Sequence, residues 1–238
     1  MIIHDVQQGT SEWLRLRAGR PTSSSFDQII TPGGKPSKSA ERYLLTLLAE
    51  RVIKHPIIEH VSMWMQRGSL MEKDAVSFYE LQNDIDTTPV GFMTNDAGTI
   101  GASPDRLVGE KGLLEIKVPS EHVHMGYLLK SGNAYDAYRV QVQGQLWVSG
   151  REFVDLLSWH PEMPPALTRI PRDEDFIAIL GEAVTKFSEI LENYAEELKA
   201  RGWITPEAPA PDAPWTDEDL NVSIEDLQES ERSRKGAI

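Results

Sequence analysis

The chain has no cysteine, and it has no long apolar run. Without cysteine it cannot form disulfides, a thiolate zinc site or a cysteine-ligated iron–sulfur cluster. No stretch reaches the roughly 18 consecutive apolar residues that a membrane span needs, and the first residues do not combine a basic start with an apolar run. We therefore expect a cytoplasmic protein without a membrane partner.

The formal net charge of −13 by itself disfavours a nucleic-acid partner, but the charge is unevenly distributed. Residues 205–238 hold nine acidic and three basic side chains, whereas residues 15–54 hold eight basic and three acidic ones. Local potential governs docking more than total charge does, so the segment 15–54 can form a phosphate-binding face. Scattered, solvated charges are the alternative interpretation of this segment.

Hydrophobic periodicity and turn residues divide the chain into alternating elements. They predict helices at 10–19, 21–30, 40–53, 69–82, 134–148 and 173–202, and strands at 89–94, 99–108, 112–119 and 153–160. The turn at 109–112 predicts an antiparallel hairpin. Helices on both sides of a central run of strands indicate an α/β or α+β layer fold over residues 1–204. Residues 205–238 are rich in proline, alanine and acid, which predicts a flexible tail.

The stretch from Ser103 to Lys117 carries the chemistry, because it contains SPD followed by EIK. Side chains alternate along a strand, so Glu115 and Lys117 share one face while Ile116 points to the other. Pairing across the hairpin brings Asp105 to the same end of the sheet as Glu115. Two close carboxylates repel unless a cation lies between them, and oxygen ligands favour magnesium or manganese.

Such an ion would polarise a scissile phosphate and activate a water molecule. Lys117 can orient that nucleophile and offset the charge that develops on the phosphate. Glu72, on the preceding helix, can hold the water directly or through a second metal ion. An E-x-K triplet alone is more often a solvated strand edge, so the prediction depends on the preceding Pro-Asp and on the acidic helix upstream.

Five segments together resemble one family. They are WLRLRAGRPTSSS (13–25), RGSLMEKDA (67–75), IGASPDRLV (100–108), LLEIKVP (113–119) and YRVQVQGQLWVSG (138–150). SPD and EIK match the core of the PD-(D/E)XK nuclease superfamily, and the other segments are similar to its phage lambda exonuclease, or YqaJ-like viral recombinase, branch. The resemblance implies an α/β restriction-endonuclease-like core, in which helices flank a central mixed sheet, so that residues 1–204 form a nuclease domain.

The same resemblance implies an activity and its partners. It implies a magnesium-dependent exonuclease, with manganese as a substitute and two ions in the site. The enzyme would digest linear double-stranded DNA from its 5′ ends and leave 3′ single strands for recombination by annealing. A homotrimer, a single-strand annealing protein as partner and the cytoplasm of a bacterial host are further implications.

Roles in the reaction carry over to single positions of this sequence. Asp105 and Glu115 resemble the metal ligands, assisted by the backbone carbonyl of Ile116. Lys117 resembles the catalytic lysine, Glu72 the acid on the helix, and Gln141 the motif glutamine.

The DNA end has its own expected residues. Arg17, Ser24 and Ser103 resemble the pocket for the terminal 5′-phosphate, where a forked cation and two hydroxyls suit the ligand. Lys35 and Lys38, in the basic segment, are further candidates for DNA binding. Arg106 follows Asp105 where the lambda enzyme has glycine.

Two other functions remain open on the sequence. One is an endonuclease or repair nuclease of the same superfamily. The other is a non-catalytic scaffold that binds DNA ends.

Overall fold

The computed structural model describes residues 1–57, 63–130 and 134–205, so the acidic tail predicted for 205–238 lies outside the described residues except for Thr205. The helices are α1 (Ser11–Arg17), a 3₁₀ helix (Ser23–Gln28), α2 (Ala40–Ile53), α3 (Met63–Asn83), α4 (Glu121–Leu129), α5 (Tyr135–Ser149) and α6 (Glu174–Ala200). The strands are β1 (Ile2–His4), β2 (Thr87–Pro89), β3 (Phe92–Thr94), β4 (Gly101–Ala102), β5 (Arg106–Val108), β6 (Gly112–Lys117), β7 (Phe153–Ser158) and β8 (Ala166–Pro171).

A five-stranded mixed sheet forms the centre of the fold, in the order β2-β5-β6-β7-β8. Strands β6 and β7 are parallel, as expected for strands joined by a helical crossover, here α4 and α5, and the other neighbours are antiparallel. A smaller antiparallel sheet has the order β1-β3-β4. The predicted α/β fold with a central mixed sheet flanked by helices is confirmed.

Strand β6 separates two hydrophobic clusters because its side chains alternate between the faces of the sheet. Leu114 and Ile116 pack with Tyr79 of α3 on one face. Leu113 packs with Leu146 of α5 on the other. Glu115 therefore projects toward α5, two residues along from Leu113. The predicted alternation of side chains on this strand is confirmed: Leu114 and Ile116 lie in the core, and Glu115 lies on the opposite face from Ile116.

Two of the predicted strands are each split between the two sheets. The segment 89–94 becomes β2 and β3, and the segment 99–108 becomes β4 and β5. Backbone carbonyls released at the two breaks need donors. The side-chain amide of Gln8 supplies both, donating to the carbonyl of Val90 at 2.7 Å and to that of Pro104 at 2.8 Å. The second break leaves Asp105 just ahead of β5.

Other elements differ from the prediction as well. The helix predicted at 21–30 is a 3₁₀ helix, in which the backbone N–H of Ser25 donates to the carbonyl of Thr22. Strands β1 and β8 and helix α4 were not predicted. Within the described part of the chain, no helix has the length and apolar character that a membrane crossing requires.

Candidate active site

The hairpin of β5 and β6 places Asp105 beside Glu115. Arg106 pairs with Leu114 in the ladder, so the residue before Arg106 lies level with the residue after Leu114. The Oδ2 atom of Asp105 accepts a hydrogen bond of 2.6 Å from the backbone N–H of Ile116. One hairpin therefore brings the two acidic residues together, as the sequence predicted.

Glu115 is almost fully buried, with 3% of its surface exposed, and three donors hold its carboxylate. Its Oε1 accepts from Lys117 Nζ at 2.7 Å and from Gln141 Nε2 at 2.6 Å. Its Oε2 accepts from Gln145 Nε2 at 2.6 Å. Lys117 Nζ also donates to Gln141 Oε1 at 3.0 Å. These contacts close a ring between the sheet and α5, which fixes the carboxylate in one orientation.

Lys117 is a cation in this ring. Burial disfavours its charged form, yet the carboxylates of Glu115 and Asp105 raise the pKa of Lys117 above its ordinary value. The ring of Tyr138 lies 4.7 Å from Nζ, at cation–π distance. A lysine held protonated cannot act as a general base, but it can stabilise negative charge.

Burial and the charges of neighbouring carboxylates raise the pKa values of Asp105 and Glu72. Burial, followed by the charges of Glu115 and Glu72, raises the pKa of Asp105 well above its ordinary value. Burial and the charge of Glu115 also raise the pKa of Glu72, against the opposing effect of Arg106. Repulsion of this kind is what a bound divalent cation relieves.

The available donors fit a hard cation that completes its shell with other oxygen ligands. Among the residues whose structure is described, no three or more carboxylate, imidazole or thiol side chains are arranged to hold a metal ion. The pair Asp105 and Glu115 offers only oxygen atoms, and magnesium is commonly held by one or two carboxylates together with water and substrate phosphate. A site of this composition therefore fits magnesium better than zinc.

A second polar centre contains the three residues that the sequence grouped as a phosphate pocket. Arg17 Nη1 donates to Ser103 Oγ, and Arg17 Nη2 donates to Ser24 Oγ, both at 3.0 Å. Nη2 also lies 3.4 Å from Thr22 Oγ1. Within the described residues no carboxylate forms an ion pair with Arg17, and the side-chain acceptors of its guanidinium are neutral hydroxyl groups.

Trp13 completes this centre from α1. Its ring lies 4.3 Å below the guanidinium of Arg17, and its Nε1 donates to Ser103 Oγ at 3.1 Å. Burial lowers the pKa of Arg17 to about 10, while Tyr43, Glu50 and Glu115 act in the opposite direction. The guanidinium therefore stays charged at neutral pH.

The remaining candidates lie elsewhere. Lys35 and Lys38 are exposed in the loop that precedes α2. Gly34 of this loop lies beside Ile179 of α6, and the structure does not place either lysine among the acidic residues of the site. Arg106 turns toward β2, where its guanidinium donates to the backbone carbonyl of Thr87 at 2.9 Å.

Three residues of the two polar centres were not predicted from the sequence: Gln145, Trp13 and Thr22. Gln145 had a usable signal, because Gln141 and Gln145 are four residues apart and so lie on one face of a helix. Trp13 joins the site through Ser103, and Thr22 joins it through Arg17, and no local sequence pattern indicates either contact.

The central mixed sheet, with its carboxylate and lysine on β6, places the chain in the class of α/β proteins with a restriction-endonuclease-like core. Within this class the chain belongs to the YqaJ-like viral recombinase family, whose domain model matches residues 12–152. The resemblance read from the sequence is therefore confirmed.

Solved structures agree with this placement. An alkaline exonuclease from Laribacter hongkongensis is 32% identical, with a TM-score of 0.72, over 81% of this chain and 98% of its own. A structure of that exonuclease in complex with dAMP matches equally well. A phage-related exonuclease from Haemophilus somnus, 14% identical with a TM-score of 0.56 over 75% of this chain and 96% of its own, shares the fold. No curated protein matches the chain.

Proposed function

We propose that this protein is a divalent-metal-dependent exonuclease that degrades linear double-stranded DNA. Asp105, Glu115 and Lys117 form its reactive centre, and Arg17 with Ser24 and Ser103 binds the terminal 5′-phosphate. Digestion runs from 5′ to 3′ and leaves 3′ single strands that serve recombination by annealing. Membership of the family and the likeness to an alkaline exonuclease support the activity.

One observation carries the proposal, namely the position of Ser103, which accepts a hydrogen bond from Arg17 and lies two residues before Asp105. A cationic pocket built from Arg17 and hydroxyl groups suits a terminal phosphate, which has more negative charge and more acceptor oxygens than an internal one. Asp105 in turn accepts a hydrogen bond of 2.6 Å from the backbone N–H of Ile116, the residue after Glu115. A DNA end held by Arg17 thus has a phosphodiester near the carboxylates, which favours cleavage from an end.

Asp105 and Glu115, with the backbone carbonyl of Ile116, are the proposed ligands of a magnesium ion, with manganese as a substitute. When bound, the ion supplies Lewis-acid polarisation of the phosphate and a water of lowered pKa. Glu72 orients the attacking water or helps to hold a second ion. The resulting donor set contains only oxygen atoms, as both ions prefer.

The chain's own residues do the remaining work. Lys117 offsets the negative charge that grows on the phosphate as the bond breaks. Gln141 forms hydrogen bonds with both Lys117 and Glu115, so it holds the ammonium group and the carboxylate in fixed positions relative to each other. Lys35 and Lys38, exposed on their loop, contribute nonspecific attraction for the DNA backbone.

The deciding experiment compares DNA substrates. The protein is incubated with 5′-phosphorylated linear duplex and with closed circular duplex, each with magnesium or with a chelator. We expect only the linear duplex to be degraded, and only with magnesium. The remaining single strands should keep their 3′ ends and lack their 5′ ends. Cleavage of the circle would favour an endonuclease of the same superfamily. Binding of ends without any degradation would favour a scaffold.

The proposal extends to the assembly and its surroundings. We propose a homotrimer that acts in the cytoplasm of a bacterial host beside a single-strand annealing protein. Residues 1–204 form the nuclease domain, and residues 205–238 form an acidic tail. Light scattering of the full chain tests the trimer, because a monomer of 26.7 kDa and a trimer differ threefold in mass.

A further inference from the structure

Gln145 occupies an unusual position for a polar side chain. It is fully buried in α5, and its Nε2 donates to Glu115 Oε2 at 2.6 Å. Its Oε1 is buried too, without a hydrogen-bond partner among the described residues. Turning the amide over would not relieve this atom, because it would set an oxygen against the carboxylate. The contact with Glu115 therefore fixes which end of the amide faces the site.

A buried acceptor without a donor destabilises a folded protein. An apolar side chain of similar volume, such as methionine, would avoid that loss. The only described hydrogen bond of the Gln145 amide is the one that it donates to Glu115. The contact with that carboxylate therefore explains why residue 145 is polar.

Comparison with Gln141, on the same helix face, shows what Gln145 contributes to holding the Glu115 carboxylate. Gln141 lies one helical turn earlier and binds Oε1 of Glu115, which Lys117 also binds. Oε2 has Gln145 as its partner. Without Gln145 the carboxylate could rotate about its terminal bond, since only one of its two oxygens would remain held.

We infer that Gln145 is a positioning residue that locks the Glu115 carboxylate for cation binding. This inference rests on the proposed function, because it assumes that Glu115 is a metal ligand. Residues that orient metal ligands typically change metal affinity by about 10–100-fold when they are lost. The effect should therefore appear in cation binding itself, before any DNA is added.

Gln143 provides a matched control in the same helix. It is also fully buried, but it donates to the Tyr135 hydroxyl at 3.1 Å and to the Pro171 carbonyl at 3.0 Å, and it accepts from the Asp173 N–H at 2.9 Å. These partners lie around the start of α6, away from Glu115. Gln143→Met thus removes more hydrogen bonds than Gln145→Met does.

The test measures Mn²⁺ binding to the full chain by calorimetry without DNA, together with the melting temperature in chelator. For Gln145→Met we expect an affinity about 10-fold weaker or more, with a melting temperature above that of Gln143→Met. For Gln143→Met we expect unchanged Mn²⁺ affinity despite the larger loss of stability. Gln145→Asn, which keeps the amide but withdraws it by one methylene, should weaken binding as Gln145→Met does.

Equal Mn²⁺ affinity in the unaltered protein, Gln145→Met and Gln145→Asn would overturn the inference and leave the proposed function intact. If the unaltered protein and Asp105→Asn both fail to bind Mn²⁺, the proposed metal site itself is wrong. If Gln145→Met does not fold, Gln145→Asn decides the question by the same comparison with Gln143→Met.

Discussion

The carboxylate of Asp105 accepts a hydrogen bond from the backbone N–H of Ile116, the residue directly after Glu115. This contact joins the end of the β4–β5 connection to the neighbouring strand and holds two acidic groups together. Burial raises the pKa of Asp105 well above its ordinary value, and the charges of Glu115 and Glu72 add to this effect. The fold thus holds carboxyl groups close together, which is the arrangement expected where a cation binds.

Replacement of Lys117 by alanine tests the electrostatic role of this residue. Its ammonium contacts Glu115 and Gln141 and stays protonated, so its loss removes positive charge near the scissile phosphate. We expect the single-turnover rate on linear duplex to fall by about 10²–10³, with binding of DNA ends retained. A rate close to that of the unaltered protein would show that Lys117 takes no part in the reaction.

Replacement of Arg17 by alanine tests the phosphate pocket. Charge-assisted hydrogen bonds contribute about 1.5–3 kcal/mol, so kcat/KM on 5′-phosphorylated duplex should fall by roughly 10–150-fold. Duplex with 5′-hydroxyl ends should be affected far less. The matched control is Arg15→Ala, because Arg15 is exposed on the same helix. Equal losses on both kinds of DNA end would contradict the assignment of the pocket.

The raised pKa values of Asp105 and Glu72 predict that cation binding depends on pH. Protons compete with the cation below these pKa values, so the apparent affinity for Mn²⁺ should increase as pH rises through them. Lys117 and Arg106 oppose the shifts without removing them. Calorimetry in two buffers of different ionisation enthalpy should detect proton release on binding. An affinity independent of pH would mean that these carboxyls are already ionised.

Helix α3, which carries Glu72, is anchored to the sheet by a buried hydroxyl. Tyr79 donates to Asp155 of β7, whose carboxylate also accepts two bonds of 2.8 Å from Arg169. Tyr79→Phe removes the hydroxyl and should lower the free energy of unfolding by about 1.5–3 kcal/mol in urea titrations. Tyr194→Phe, at an exposed position, should change little. Equal stability of both variants would show that the Tyr79 bond does not stabilise the fold.

The hairpin was predictable because its determinants are local. The turn at 109–112 begins and ends with glycine. Alternation along β6 assigns Glu115 and Ile116 to opposite faces without knowledge of the rest of the chain. The same two features place Asp105 opposite Glu115. A turn signal together with side-chain alternation in the adjoining strands specifies both the register of the hairpin and the face on which each side chain lies.

The strand breaks and the second glutamine were not predictable in the same way. At the breaks between β2 and β3 and between β4 and β5, backbone carbonyls accept hydrogen bonds from Gln8, which lies 82 and 96 positions away in the sequence. The spacing of four residues places Gln145 on the same helix face as Gln141, but the contact of its amide with Glu115 depends on how α5 packs on β6. The strand breaks and this hydrogen bond depend on contacts between distant segments, which local periodicity does not indicate.

Anomalous diffraction from crystals of the protein grown with Mn²⁺ tests most directly whether Asp105 and Glu115 hold a divalent cation. We expect an anomalous peak between the carboxylates of these two residues, and no such peak in crystals of Asp105→Asn. A peak elsewhere, or no peak at this position while the carboxylates remain ordered, would contradict the claim that these two residues hold a divalent cation.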